Sequence, residues 1–75
     1  MMKIKIDLTW DNEACVWTAT SEDLMGLVME SGSLDALIER VRHAAPEILQ
    51  LNGGIGETVS MYFRSERFEE VSING

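Results

Sequence analysis

The chain has 75 residues, 45% of them hydrophobic and 25% charged, a globular composition that excludes a disordered chain. This length is enough for one domain, residues 1–75, and excludes two. Thirteen acidic and six basic residues give a net charge of −7, which disfavours contact with nucleic acid or anionic membranes. The same charge favours a basic protein partner, unless it serves solubility alone.

The chain's single cysteine, Cys15, has no partner for an internal disulfide, which suits a reducing compartment. The first residues alternate between charged and apolar types and lack the apolar run of a signal peptide. No stretch approaches the roughly 20 apolar residues that a membrane span needs. We therefore expect a cytoplasmic protein.

The first two predicted elements are strands that form an antiparallel hairpin. Residues 3–10 alternate strictly between polar and apolar types, which indicates a strand with one buried face. Asp11-Asn12-Glu13 then favours a turn, and Ala14 to Thr20 has strand composition. Alternation places Cys15 on one face with Trp17 and Ala19, so we expect a buried Cys15 and inward-facing tryptophans at positions 10 and 17.

A third strand and a helix are predicted next. Leu27, Val28 and Met29 form a short apolar run between Gly26 and Gly32 that indicates the strand. The helix should follow Ser33, whose hydroxyl can cap its first turn, because apolar residues then recur at helical spacing.

Two features bear on the end of that helix. Pro46 should cause a kink or start a new helical turn, since it has no N–H to donate. Asn52-Gly53-Gly54 should form the C-cap, because glycine can adopt the left-handed conformation.

Thr58 to Arg64 predicts a fourth strand, with Val59, Met61 and Phe63 on one face. Ser65-Glu66-Arg67 can turn the chain, and Phe68 to Ile73 is either a fifth strand or a tail.

These elements predict a two-layer α+β domain of order βββαβ, in which one helix covers one face of an antiparallel sheet. The other face should then carry a surface suited to self-association or to a partner. The candidate interface residues on this second face are Val16, Val28, Met29 and Tyr62.

The segments 17–20, 21–27 and 32–34, the last opening the helix, resemble the HicB-like antitoxin superfamily. The closer likeness is to a short stand-alone group classed as domain of unknown function 1902, in which residues 45–52 look characteristic. The resemblance spans roughly residues 4–52 and implies a degenerate ribonuclease-H-like fold that has lost catalysis. It also implies that the domain binds and blocks a small basic toxin that cleaves messenger RNA. Nothing after Asn52 matches the DNA-binding segment of complete members.

Residues with ionisable or nucleophilic side chains are better explained by structural or surface roles. The acidic residues of the strands and loops match no metal-loop spacing, and we assign no metal and no cofactor. His43 and Cys15 have no activating neighbour in the sequence, so we assign no catalytic residue and expect no enzyme. The acids weighed for a metal site are Asp7, Asp11, Glu13, Glu22 and Asp23.

Three hypotheses remain open from the sequence. The first is an antitoxin or orphan relative that holds a small basic protein through a strand edge or sheet face. The second is a homodimeric structural module formed by pairing of edge strands or of the uncovered face. The third, least favoured, is a residual metal-dependent nuclease.

Overall fold

The structure, a computed structural model, describes residues 2–51 and 58–74. Within these residues it contains four strands and one helix in the predicted order. Their bounds are β1 Met2–Asp11, β2 Val16–Thr20, β3 Val28–Ser31, α1 Leu34–Leu51 and β4 Val59–Glu66.

The strands form a single mixed sheet of order β3-β2-β1-β4. The prediction of a two-layer βββαβ domain is confirmed, but the predicted antiparallel sheet is wrong in one pairing. β1 pairs antiparallel with β2 and β2 with β3, whereas β4 pairs parallel with β1. The helix explains this difference, because α1 carries the chain back along the sheet and β4 therefore runs in the same direction as β3 and β1.

The core lies between α1 and one face of the sheet. Alternate residues of β1 and β2 point into it, as the period of two predicted, and the buried stripe of α1 meets them. Leu24 and Leu27 are also buried, although they lie in the loop between β2 and β3. The remaining core residues are Ile4, Ile6, Leu8, Trp17, Ala19, Leu37, Val41 and Ala45.

The sequence predicts how both ends of α1 are capped. The predicted N-cap is confirmed, since the backbone N–H of Ala36 donates to Ser33 Oγ at 3.2 Å. The helix runs unbroken through Pro46 to Leu51, so no separate helix begins at the proline. The predicted C-cap, residues 52–54, lies outside the described residues.

The turn between β1 and β2 corrects the prediction for Cys15. The Asp11 carboxylate accepts hydrogen bonds from the backbone N–H groups of Glu13 at 3.0 Å and Ala14 at 3.2 Å. The turn therefore extends to Cys15, which is exposed with a φ of 55°, and β2 begins only at Val16. Cys15 is therefore a turn residue and not a member of the buried face.

In the loop after β2, two side chains provide the hydrogen bonds to β1 that a longer β2 would otherwise form. The backbone N–H of Lys5 donates to Asp23 Oδ2 at 2.8 Å, and the Ser21 hydroxyl donates to the carbonyl of Lys5 at 2.7 Å. Ser21 Oγ also accepts the N–H of Asp23 at 3.1 Å. Two side chains thus satisfy the backbone of β1 just beyond the end of its pairing with β2.

We expect Asp23→Ala to lower the free energy of unfolding by about 1 kcal/mol, because it removes the acceptor for the Lys5 N–H at an exposed site. The measurement is urea denaturation. Glu22→Ala, also at an exposed position, is the matched control and should change stability by less than about 0.5 kcal/mol. Equal effects of the two substitutions would contradict a structural role for the Asp23 carboxylate.

β4 extends to Glu66, two residues beyond its predicted end, so the chain does not turn at residues 65–67. Residues 67–74 are exposed and form no strand, so the predicted fifth strand is not present and the alternative of a tail applies. Arg67 lies over the ring of Trp10, 3.9 Å from its centroid, and its Nε contacts Glu69 Oε1 at 2.7 Å. The tail is therefore attached to the domain at its first residue.

Candidate functional site

The face of the sheet opposite α1, which we call the open face, has no covering layer in the described part of the chain. Its residues alternate along each strand with those that point into the core. They are Lys3, Lys5, Asp7, Thr9 and Asp11 of β1, Val16, Thr18 and Thr20 of β2, Val28 and Glu30 of β3, and Ser60, Tyr62, Arg64 and Glu66 of β4.

The strand register arranges these side chains in cross-strand rows. In one row Thr9 and Thr18 lie side by side, with Glu30 at one end and Glu66 at the other. The neighbouring row consists of Val28, Thr20, Asp7 and Arg64. Hydroxyl groups therefore occupy the middle of the open face, and carboxylates lie beside them.

Charge is distributed unevenly along this face. Lys3 and Lys5 lie near the start of β1, whereas the acidic residues gather toward its other end. We call these acidic residues, Asp7, Asp11, Glu30 and Glu66, the acidic half of the open face. Two shallow depressions near Thr9 and Thr20 lie in this region. The four carboxylates outnumber the single guanidinium of Arg64 in this region, and the excess of negative charge favours contact with a cationic surface.

Three of the four candidate interface residues lie on the open face. Val16 is opposite Asp11, Val28 is 72% exposed, and Tyr62 is 50% exposed. They do not form a patch, because β2 and β1 separate Val28 from Tyr62 and polar residues lie between them. Met29 was placed on the wrong face by the prediction: it pairs with the buried Ala19 and packs against the core.

The sequence did not identify the apolar surface at the β4 edge of the sheet. α1 packs over β2 and β3, so Val59, Met61 and Phe63 on the same side of β4 remain half-buried. Beyond β4, Phe68, Val71 and Ile73 are 70%, 82% and 95% exposed. The signal available in the sequence is the apolar content of residues 68–73, which predicts either a fifth strand or a tail.

The two residues weighed for catalysis lie on different elements, and neither is on the open face. Cys15 is in the β1–β2 turn, where Sγ contacts the carbonyl of Asn12 at 3.7 Å. His43 is on the solvent side of α1, with Nε2 3.6 Å from Glu39 Oε1. Arg42 donates hydrogen bonds to Glu39, and this contact and its positive charge lower the pKa of Glu39. The arrangement is a surface ion pair of the helix.

The acidic residues weighed for a metal site do not form a cluster. Asp11 and Asp23 accept backbone hydrogen bonds in two different loops. Over residues 2–51 and 58–74 the structure brings no three His, Cys, Asp or Glu side chains together as a possible metal site. Over the same residues, α1 is not both long and apolar enough to cross a membrane.

Comparison with known proteins extends these findings. The fold is similar to the crystal structure of a hypothetical protein, TTHA1013, from the extremely thermophilic bacterium Thermus thermophilus. The TM-score is 0.71 at 32% sequence identity, and the match covers 95% of this chain and 99% of that one. No curated protein matches the chain. The family model described as a domain of unknown function, DUF1902, matches residues 3–73, and the chain therefore belongs to the DUF1902 family.

Proposed function

We propose that this chain is a non-catalytic protein-binding domain of the HicB-like antitoxin type, which holds a small basic protein on its open face. The observation that carries the proposal is the acidic half of that face, where carboxylates border a row of threonine hydroxyls on an uncovered sheet. Such a surface offers a cationic protein both charge and hydrogen-bond acceptors.

The charge of the whole chain supports this choice of partner. A net charge of −7 on a domain of 75 residues attracts a basic protein at long range and raises its association rate. The acidic half then provides short-range contacts, because Asp7, Asp11, Glu30 and Glu66 all come from strands held in fixed register. A rigid sheet loses little conformational freedom on binding.

The HicB-like part of the proposal rests on where the resembling segments lie. Trp17 to Thr20 forms most of β2, residues 21–27 form the loop that caps β1, and Gly32-Ser33-Leu34 opens α1. The three segments therefore form a strand, the loop that follows it and the start of the helix. A degenerate ribonuclease-H-like fold without catalysis is compatible with the four-stranded mixed sheet. We place this function in the cytoplasm, where a single exposed Cys15 stays reduced.

The proposal is tested by purifying the tagged chain from its native cell and identifying what it retains. We expect a small basic protein in stoichiometric amount, released as the salt concentration rises. Glu30→Lys should then weaken binding by about tenfold or more, because it places a positive charge in the contact. Glu47→Lys on the exposed side of α1 makes the same change in net charge and is the matched control.

Two outcomes would contradict the proposal. If no basic protein is retained above the level of an untagged strain, the function is a different one. If Glu30→Lys and Glu47→Lys weaken binding equally, the partner responds to net charge and the open face is not its docking surface.

A further inference from the structure

We propose that residues 67–74, which we call the arm, pair with β4 of a second copy of this chain and join two sheets edge to edge. The proposal concerns a surface other than the open face and does not depend on the proposed function. A symmetric pair of this kind buries the same segment of both copies.

The first observation is the apolar surface of the arm. Phe68, Val71 and Ile73 are 70%, 82% and 95% exposed within a run of only eight residues. Single exposed apolar side chains are common on proteins, but three within one run of eight residues form an apolar surface that the described part of the chain leaves uncovered. The arm therefore has the composition of an element whose packing partner lies outside the single chain.

The second observation is the outer edge of β4, the last strand of the sheet. β4 is fully paired with β1 on one side, and its outer edge has no neighbouring strand in the described part of the chain. On the side that α1 only partly shields, Val59, Met61 and Phe63 are half-buried. A sheet edge of this length with apolar side chains is a site for strand addition.

The third observation is the direction of the arm. Arg67 rests on Trp10 and contacts Glu69, which attaches the start of the arm at the end of β4, while residues 67–74 are exposed along their whole length. The chain is elongated: its radius of gyration is 15.0 Å, where a compact domain of this length has about 11 Å. The arm is thus presented outward, where a second copy can reach it.

The sequence specifies how two arms and two β4 strands fit together. In an antiparallel pair related by a twofold axis at Arg67, opposite residues have numbers that add up to 134. Met61 then faces Ile73 and Phe63 faces Val71 on the α1 side, where the period of two places all four. On the other face, Arg64 lies opposite Glu70 and Phe68 lies opposite Glu66.

Two other registers fit less well. A shift by one residue moves every arm side chain to the opposite face. A shift by two that centres the pair on Glu66 places Phe63 opposite Glu69 and Glu66 opposite its own copy. In the register centred on Arg67, the two guanidinium groups at the axis are each already covered by Trp10 and neutralised by Glu69.

Analytical ultracentrifugation over a range of concentrations tests the association. We expect the wild-type chain to have twice the mass of one chain and the double variant Val71→Glu, Ile73→Glu to have the mass of one. Val28→Glu is the matched control, since Val28 is 72% exposed but lies on the open face, and it should remain dimeric. Circular dichroism should show an unchanged helix signal in all three, because the altered side chains are exposed and lie outside α1.

Disulfide crosslinking tests the register independently. In a Cys15→Ser background, Met61→Cys with Ile73→Cys should give a covalent dimer on mild oxidation, because opposite residues of antiparallel strands lie about 4.5–5.5 Å apart. Met61→Cys with Ser72→Cys should not, because residue 72 points to the other face.

A wild-type chain that stays monomeric at high concentration would overturn the proposal, and so would a dimer that survives the change at Val71 and Ile73. Loss of the dimer in Val28→Glu would assign self-association to the open face instead. Efficient crosslinking through residue 72 in place of residue 73 would overturn the register.

Discussion

Replacing Leu24 with alanine is expected to lower the free energy of unfolding by about 2–5 kcal/mol, a large fraction of the stability of a domain this small. Leu24 is 0% exposed although it lies in the β2–β3 loop, and its carbonyl accepts the backbone N–H of Leu27 at 3.2 Å. The substitution removes apolar contacts and leaves a cavity under a loop that several hydrogen bonds hold in place. Thermal and urea denaturation followed by circular dichroism measure the effect.

Met25→Ala is the matched control for that experiment. Met25 is the next residue in the same loop and is 78% exposed, so its truncation should change stability by less than about 0.5 kcal/mol. A similar loss in both variants would mean that the loop responds to any change and that Leu24 is not part of the core.

Replacing Pro46 with alanine is expected to raise the free energy of unfolding by about 2 kcal/mol. The proline lies inside α1, where it cannot donate to the carbonyl of Arg42 and its ring crowds the preceding turn, a cost of about 3 kcal/mol relative to alanine. The gain is reduced by up to about 1 kcal/mol, because proline also restricts the unfolded chain. Pro46 is exposed, so little packing is lost.

The measurement for Pro46→Ala is the midpoint of thermal unfolding, which should rise by several degrees. Glu47→Ala, at the next exposed helical position, replaces a residue that has no comparable backbone penalty and should leave the midpoint almost unchanged. An unchanged or lower midpoint in Pro46→Ala would show that the helix depends on a bend at this position.

Local patterns predicted much of the fold. Strict alternation identified the buried face of β1, and the stripe of apolar residues together with Ser33 identified α1 and its first residue. Each of these features depends on residues close together in the chain. Whether β4 pairs parallel or antiparallel depends on which strand it lies beside after the helix, and the sequence period carries no information on that choice.

The errors in β2 and β3 also have local physical causes. Asp11 captures two backbone N–H groups, which lengthens the turn and exposes Cys15, and alternation alone cannot show this. Leu27, Val28 and Met29 are all apolar, so their alternation could not reveal which of them faces the helix. The strand begins at Val28, and its pairing with Thr20 sets Met29 toward the core.

The candidate site was predictable only in part. That one sheet face would lie uncovered followed from having a single helix. Two strands separate Val28 from Tyr62. Predicting this separation would have required the strand order, which the sequence did not supply. The acidic half likewise emerges only after the register brings Glu30 and Glu66 into the same row as Thr9.

The parallel pairing of β1 with β4 has a consequence for how the domain is made. β1 is synthesised long before its neighbour β4. The first pair of this ladder, Met2 with Val59, cannot form until Val59 has left the ribosome. Until then, one side of the central strand has no hydrogen-bond partner, and folding cannot finish during most of translation. Closing so long a loop costs chain entropy before any contact compensates, which favours folding in milliseconds over microseconds. A nascent chain that stalls before β4 would thus expose the unpaired edge of β1, which can pair with strands of other chains and lead to aggregation.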